Sequence, residues 1–382
     1  AWLKAHYPAE FMAAVLSSDM DKTDKVVGFI HECRQLKLTV LPPDINQSQY
    51  RFTVTPQGEI LYGLGALKGV GEAAISAIIE ARAKAGKFSN LFDFCSRIDL
   101  RKINRRVLES LIKSGALDDF KLHRAQLLAN LDNALQQAEQ QALNQDQGQQ
   151  DLFGLPITEA QPCHLLNAAE WSTLERLRGE KEALGLYLSG HPLQLYETEF
   201  KNFISTSIAE LTQVTAKTVT LAGLITQINI RFSKRGKRMA FLTLEDRSGT
   251  IELTVFSELC DQHKHLLVKD QLVFVEGEMT EDEFTGGYKL MARALYGLQD
   301  LRERFAKGLS LTMNHELNPE LWSKLSCLLA SHRQGSCPIF VSYHNSSAQA
   351  SLRFSKEWRV QLSDELLQGL QNLLGEAQVR VH

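Results

Sequence analysis

Two periodicities divide the chain. Up to about residue 212 the apolar positions recur mostly at helical spacing, whereas from 218 to 296 they alternate in short runs. "WLKAHYPAEFMAAVLSS" (2–18) and "TDKVVGFIHECRQL" (23–36) predict two amphipathic helices, the second capped by Thr23 or Asp24. Pro42-Pro43 excludes helix from "LPPDINQSQYRFTVTPQGEILYGL" (41–64), and the alternation of "YRFTVT" predicts a short strand. Between 64 and 120 the pattern is helical and broken at glycines. A polar helix then grades into a linker with eight Gln in positions 133–150, and helical pieces return at 168–188 and 192–212.

"VTLAGLITQINI", "MAFLTLED", "TIELTVF", "QLVFVEGEM" and "YKLMARAL" predict five strands, with "SELCDQHKHLL" as a helix between the third and fourth. Beyond 306, a strand (308–313), a helix (319–332), strands at "PIFVSY", "QASLRF" and "WRVQL", the helix "SDELLQGLQNLLG" and a final "QVRV" make a small α+β module. The expected fold is therefore multidomain α+β. Its divisions are helical 1–60, a helical hairpin unit at 61–120, helix and linker at 121–160, a helical connector at 161–215, a barrel at 216–300 and the terminal α+β domain at 301–382.

Composition changes this picture little. In 382 residues, 44% hydrophobic and 23% charged content is ordinary for globular protein, and a net charge of −3 makes any nucleic-acid contact a local matter. Cys33, Cys95, Cys163, Cys260, Cys327 and Cys337 are dispersed without a CxxC pair, which fits a reducing, cytoplasmic setting rather than a disulfide scaffold. No apolar run reaches membrane-spanning length. The start "AWLKAHYPAEF" lacks an initiator Met and opens inside a helical pattern, so a C-terminal piece of something larger is expected.

"ALKGVGEAAISAIIEAR" sets Gly69-Val70-Gly71 before a helix whose apolar face holds Ile75, Ile78 and Ile79. Two glycines permit a tight hairpin with bare amides at a helix N-terminus, where a phosphate can sit, and Lys68 adds charge. Such geometry holds a nucleic-acid backbone without reading sequence. It resembles the helix–hairpin–helix motif. In the next helical unit Asn104 caps a helix, Val107/Leu111 and Leu108/Ile112 form its buried stripe, and Gly115 ends it. Arg101, Lys102, Arg105 and Arg106 crowd that helix's start, where cations oppose the dipole; duplex phosphate would explain them. A plain helical corner with a solvated basic turn is the alternative.

The order β-β-β-α-β-β is that of the OB-fold, a five-stranded barrel that binds single strands across its second and third strands and adjoining loops. Its first loop, "RFSKRGKR", carries Arg231, Phe232, Lys234, Arg235, Lys237 and Arg238, which supplies both charge and a ring for base stacking. The opposite loop is acidic at Glu281, Asp282 and Glu283, so a spacer or protein-binding barrel stays open. Phe241, Phe256 and Phe274 are expected in the barrel core. Asp19 and Asp21 read as cap residues rather than metal ligands, and no nucleophile triad or phosphate loop is present. The chain is expected to be non-catalytic alone and to hold no metal or cofactor.

"YPAEFMAAVLSSDMDKTDK", "YGLGALKGVGEAAISAIIEAR", "NRRVLESLIKSGALD", "GLYLSGHPL" and "LTLEDRSGTIELTVF" together resemble the C-terminal region of the replicative DNA polymerase III alpha-subunit family, in its Gram-negative form. The resemblance spans essentially the whole chain. It implies that 1–60 ends a fingers region, that the hairpin grips duplex behind the active site, and that the last module binds the clamp-loader tau subunit. Trp358 and Arg359 are that module's exposed candidates. It also implies that the nucleotidyltransferase carboxylates and their Mg2+ lie upstream. "QQDLF" is similar to the sliding-clamp-binding pentapeptide, with Gln149, Asp151, Leu152 and Phe153 at its informative positions; two apolar side chains in a polar linker suit a partner's pocket. A repair or recombination scaffold and a purely protein-binding module are the readings from other classes.

Overall fold

The computed structural model of the protein describes residues 2–146, 165–196, 199, 203–213, 218–232, 236–281, 288–313, 319–344, 349–375 and 378–382. They form two compact units, Ala1–Pro192 and Leu193–His382.

The first unit begins with α1 (Trp2–His6) and α2 (Pro8–Ser18), which divide the single helix expected there. Pro8 at the first position of α2 has no N–H to donate and holds Tyr7 out of helical geometry. Lys22, with no side-chain cap bond, precedes α3 (Thr23–Gln35), so Thr23 and Asp24 lie inside its first turn instead of capping it. A small sheet joins β1 (Val40–Leu41), β2 (Thr53–Val54) and β3 (Ile60–Leu61) in the order β1-β3-β2. Then come α4 (Glu72–Ala85), α5 (Leu91–Arg97), α6 (Arg105–Ser114), α7 (Arg124–Ala129), α8 (Leu131–Asp146) and α9 (Thr173–Leu184).

One core runs through all of this. Met12, Ile30, Tyr62, Ile75, Ile78, Phe94, Leu108 and Leu184 share it, each almost wholly buried; a large apolar side chain so buried stabilises by about 1.5–3 kcal/mol. The extended stretch before β2 is fixed to the helices by polar bonds. Buried Asn46 donates to the Phe88 carbonyl (3.0 Å) and accepts from the Phe88 amide (2.8 Å), while Arg82 donates to the Ile45 carbonyl at 2.9 Å. The Asn104 side chain caps α6 and Gly115 ends it at φ 85°, with Val107, Leu108, Leu111 and Ile112 buried as the pattern predicts. A capping box of Ser172 and Glu175 starts α9.

In the second unit, β4 (Thr218–Phe232), β5 (Arg238–Glu245), β6 (Thr250–Val255), β7 (Leu272–Glu281) and β8 (Tyr288–Tyr296) close into a barrel in the order β4-β5-β6-β8-β7. Helix α10 (Ser257–Gln262) falls between β6 and β7, as expected. Ala240, Leu242, Leu244, Val273 and Val275 fill the barrel. By strand alternation Phe241 and Phe274 must then face outward, which corrects their assignment to the barrel core. Phe274 is buried outside it, 6.1 Å from the Phe203 ring, and Phe256 follows β6 and is 44% exposed. Within 192–212, where helices are expected, 3₁₀ turns form at Pro192–Leu195 and Ile208–Gln213, and Glu199 is helical.

The terminal module follows as α11 (Leu298–Phe305), β9 (Leu309–Met313), α12 (Pro319–Ser331), β10 (Arg333–Cys337), β11 (Ile339–His344), β12 (Gln349–Arg353), α13 (Asp364–Leu374) and β13 (Val379–Val381). Its sheet has the order β12-β11-β9-β13. Leu309, Leu311, Ile339 and Val341 face Leu325, Leu329 and Leu366 of α12 and α13 in one core. "WRVQL" is not the strand expected: Lys356–Trp358 form a 3₁₀ turn, and only Val360 bridges, to Arg333 and Cys337. That bridge needs Gly335, because a Cβ there would collide with the Val360 backbone.

Candidate nucleic-acid interface

Gly69 turns the chain at φ 76°, a left-handed conformation that glycine adopts without strain. Gly71 is the N-cap of α4 in ordinary extended geometry, at φ −77°. A Cβ at either glycine would meet nothing within 4 Å, so open space lies over both. Val70 between them is buried and anchors the hairpin in the core. Ala74 and Ile75 donate to the Gly71 carbonyl. Among the described residues, no acceptor meets the amides of Gly69, Gly71, Glu72 and Ala73. This is a row of donors at the positive end of a 14-residue helix.

The second helical unit lies against this hairpin. Ser110 of α6 donates to the Lys68 carbonyl at 2.8 Å, and the Lys68 amide donates to the Ala183 carbonyl of α9, also at 2.8 Å. Arg106 stands one helical turn before Ser110 on the same face of α6. Arg106 and Lys102 are exposed and, among the described residues, have no ion-pair partner.

The other cations are less available. Arg105 pairs with Glu109 at 2.7 Å and also with Asp132, and Arg101 pairs with Asp99 at 3.1 Å. Part of the charge at the start of α6 is therefore balanced within the protein. The Glu109 and Asp132 carboxylates hold the Arg105 pKa above its usual value, and the bonds that Arg101 donates from its side chain and amide hold that of Asp99 below its own. Lys68 directs its ammonium to Gly185, at the negative C-terminal end of α9. The exposed Glu72 is the one carboxylate in the first turn of α4.

A buried charge network braces this region. Arg124, 7% exposed, pairs with Asp118 at 2.7 Å and Glu180 at 3.0 Å and donates to the Lys113 carbonyl. Glu180 in turn accepts from the Leu188 and Ser189 amides. Asn130, fully buried, exchanges bonds with the Leu166 amide and carbonyl at 2.8 and 2.9 Å. The buried pairings were not legible in the sequence, because Glu180 lies 56 residues from Arg124 and Leu166 lies 36 from Asn130.

On the barrel, β4 and β5 pair out to Phe232 and Arg238, so their hairpin extends past the core. Phe232 is 71% exposed, and Arg231 lays its guanidinium 5.6 Å from the centre of the outward Phe241 ring. Lys237 is exposed and Arg238 half-buried. Lys234 and Arg235 lie outside the described residues, as do Asp282 and Glu283 of the acidic loop. Gln149, Asp151, Leu152 and Phe153 of the pentapeptide also lie outside them. Trp358 is half-buried: its ring packs 5.8 Å from Phe354 and carries the Arg333 guanidinium at 3.4 Å, and Arg359 beside it is half-buried too.

Asp19 bonds Lys22 and Lys25, each at 3.0 Å, and these amines hold its carboxyl below the usual range. No group of three or more His, Cys, Asp or Glu suited to a metal occurs among the described residues. Nor is any described helix long and apolar enough to cross a membrane.

Three family models match: a helix-hairpin-helix motif over residues 37–127, an OB-fold nucleic acid binding domain over 219–296, and the DNA polymerase III subunit alpha C-terminal domain over 324–375. The chain is 45% identical to the DNA polymerase III subunit alpha of Vibrio cholerae serotype O1 and 44% identical to that of Escherichia coli K12, in each case over 100% of this chain and 33% of the relative. It thus spans about a third of the length of the curated relatives it matches. Among solved structures, the second OB-fold domain of replication protein A from Methanococcus maripaludis is 19% identical at a TM-score of 0.20, covering 25% of this chain and 94% of that one.

Proposed function

This chain is the counterpart of the C-terminal region of DNA polymerase III alpha subunits, and on that premise we propose that it holds DNA and partner proteins for the polymerase while nucleotidyl transfer takes place elsewhere in the parent protein. The observation that carries this is the open row of amides at Gly69, Gly71, Glu72 and Ala73. Four donors at one helix start can grip a phosphate, and the open space over Gly69 and Gly71 suits a grip indifferent to base sequence. Lys102 and Arg106 extend it along a duplex; Arg101, Arg105 and Lys68 contribute field rather than contact.

The barrel hairpin, through Arg231, Phe232, Lys237 and Arg238 with Lys234 and Arg235, holds single-stranded DNA by charge and stacking. The pentapeptide at 149–153 inserts Leu152 and Phe153 into the sliding clamp, and the terminal module meets the clamp-loader tau subunit, with Trp358 and Arg359 as candidates. The parent's Mg2+ and catalytic carboxylates belong upstream, so this part is non-catalytic alone and acts in the cytoplasm. Titration of the chain with a 20-base-pair duplex at rising salt tests the central part: affinity that falls linearly on log–log axes and ignores sequence supports it. No duplex affinity at low salt contradicts it. Clamp affinity unchanged by Leu152→Ala with Phe153→Ala would remove the clamp assignment.

A further inference from the structure

Among the described residues, the helices that share the terminal module's core pack on one face of its sheet. Leu309, Leu311, Met313, Ile339 and Val341 point to α12 and α13, so alternate residues point away from them. Register fixes what that open face presents. Arg353 stands opposite Phe340, Phe340 beside Ser310, and Ser310 beside Arg380, one row across all four strands. A second row holds Ser351, Ser342 and Thr312. Arg353 and Arg380 are exposed, and Phe340 is half-exposed with the Arg353 guanidinium 5.5 Å from its ring centre. Gly308 lies under that ring, where a Cβ would collide with it. Among the described residues of β9, β11, β12 and β13, none is a carboxylate.

We propose that this open face binds single-stranded nucleic acid, with Phe340 and the stacked Arg353 as a base platform and Arg353 and Arg380 as phosphate contacts. The site belongs to the terminal module rather than to the hairpin or the barrel. An ordinary solvated face on a chain of net charge −3 mixes both signs; this one offers cations, hydroxyls and a ring. At about 4.8 Å per strand, Arg353 and Arg380 stand roughly 14 Å apart across the sheet. A ligand reaching both runs across the strands, as a flexible phosphodiester can. An acidic peptide pairing with the free edge of β12 would leave Arg380 untouched. Stacking on an aromatic of an open sheet is also how common RNA-binding modules hold bases.

The test uses the whole chain and fluorescein-labelled dT20. In a background of Arg231→Ser, Lys237→Ser and Arg238→Ser, adding Arg353→Ser and Arg380→Ser is expected to weaken binding three- to tenfold. The log–log salt slope should fall by about 1.4, from roughly 0.7 per lost phosphate contact on a single strand. Phe340→Leu should weaken binding without changing that slope, and photocrosslinking with 5-iodo-deoxyuridine should label the peptide containing Phe340. Unchanged affinity and slope in the double-serine variant would overturn the proposal. So would a poly-glutamate peptide that loses affinity in that variant while dT20 does not. The background triple variant alone reports on the barrel, so failure there leaves the sheet face separately testable.

Discussion

The hairpin at 66–75 and the barrel loop at 231–238 both invite phosphate, but by opposite means. The hairpin offers backbone amides held by a core that includes Val70 and Ile75, with open space over its two glycines. The barrel loop offers long side chains at the end of a two-stranded projection, with Phe232 71% exposed. A preorganised backbone site loses little entropy on binding and resists substitution at its charged neighbours; a side-chain site pays for ordering each arm and depends on every charge. The first should therefore fail through glycine or core substitutions, the second through charge removal.

The largest effect should come from the brace beneath the hairpin. Arg124→Met leaves Glu180 charged and unpaired in the interior, which costs about 3–5 kcal/mol; thermal denaturation of the whole chain checks it, and a shift of only a degree or two would separate the brace from the rigidity of the hairpin. Gly69→Ala forces φ 76° on a residue with a Cβ and should cost about 1–2 kcal/mol although space is free around it. Replacing Arg231, Lys237 and Arg238 by Ser should leave stability within about 0.5 kcal/mol. It should weaken dT20 binding several-fold and flatten its salt dependence, with duplex affinity unchanged; equal losses on both substrates would erase the distinction between the two sites.

The smallest effect tests a cap. The Ser172 amide holds the Glu175 carboxyl below its ordinary 4.5, so this stabilisation is present above pH 4.5 and fades as pH falls through the lower, folded value. Glu175→Gln should melt slightly below the parent at pH 7, and the two curves should converge once the pH falls below the folded value.

How much of this was legible depends on the range of each interaction. Gly69, Gly71, Asn104 and Gly115 act within a turn or two, and the sequence announced them. The five strands were legible from period-2 alternation, yet the facing of Phe241 was not, since alternation fixes relative but not absolute orientation. The partners of Arg105 show the same limit. Glu109 lies one turn along and could have been foreseen, but Asp132 reaches it from α8. Likewise the polar "RQGSC" gives no local sign of β10, which exists because Gly335 lets the Val360 backbone come close. The open row Arg353–Phe340–Ser310–Arg380 exists only once strand register is set.

Gly71→Val tests the central claim most directly, because Gly71 has ordinary dihedrals and open space. A bulky side chain there should leave the melting temperature within a degree or two while covering the amide row. Fluorescence-anisotropy titration with a 20-base-pair duplex at low salt should then show about tenfold weaker binding, about 1.4 kcal/mol, with dT20 binding unchanged. Duplex affinity equal to that of the parent chain would contradict a backbone grip at this hairpin.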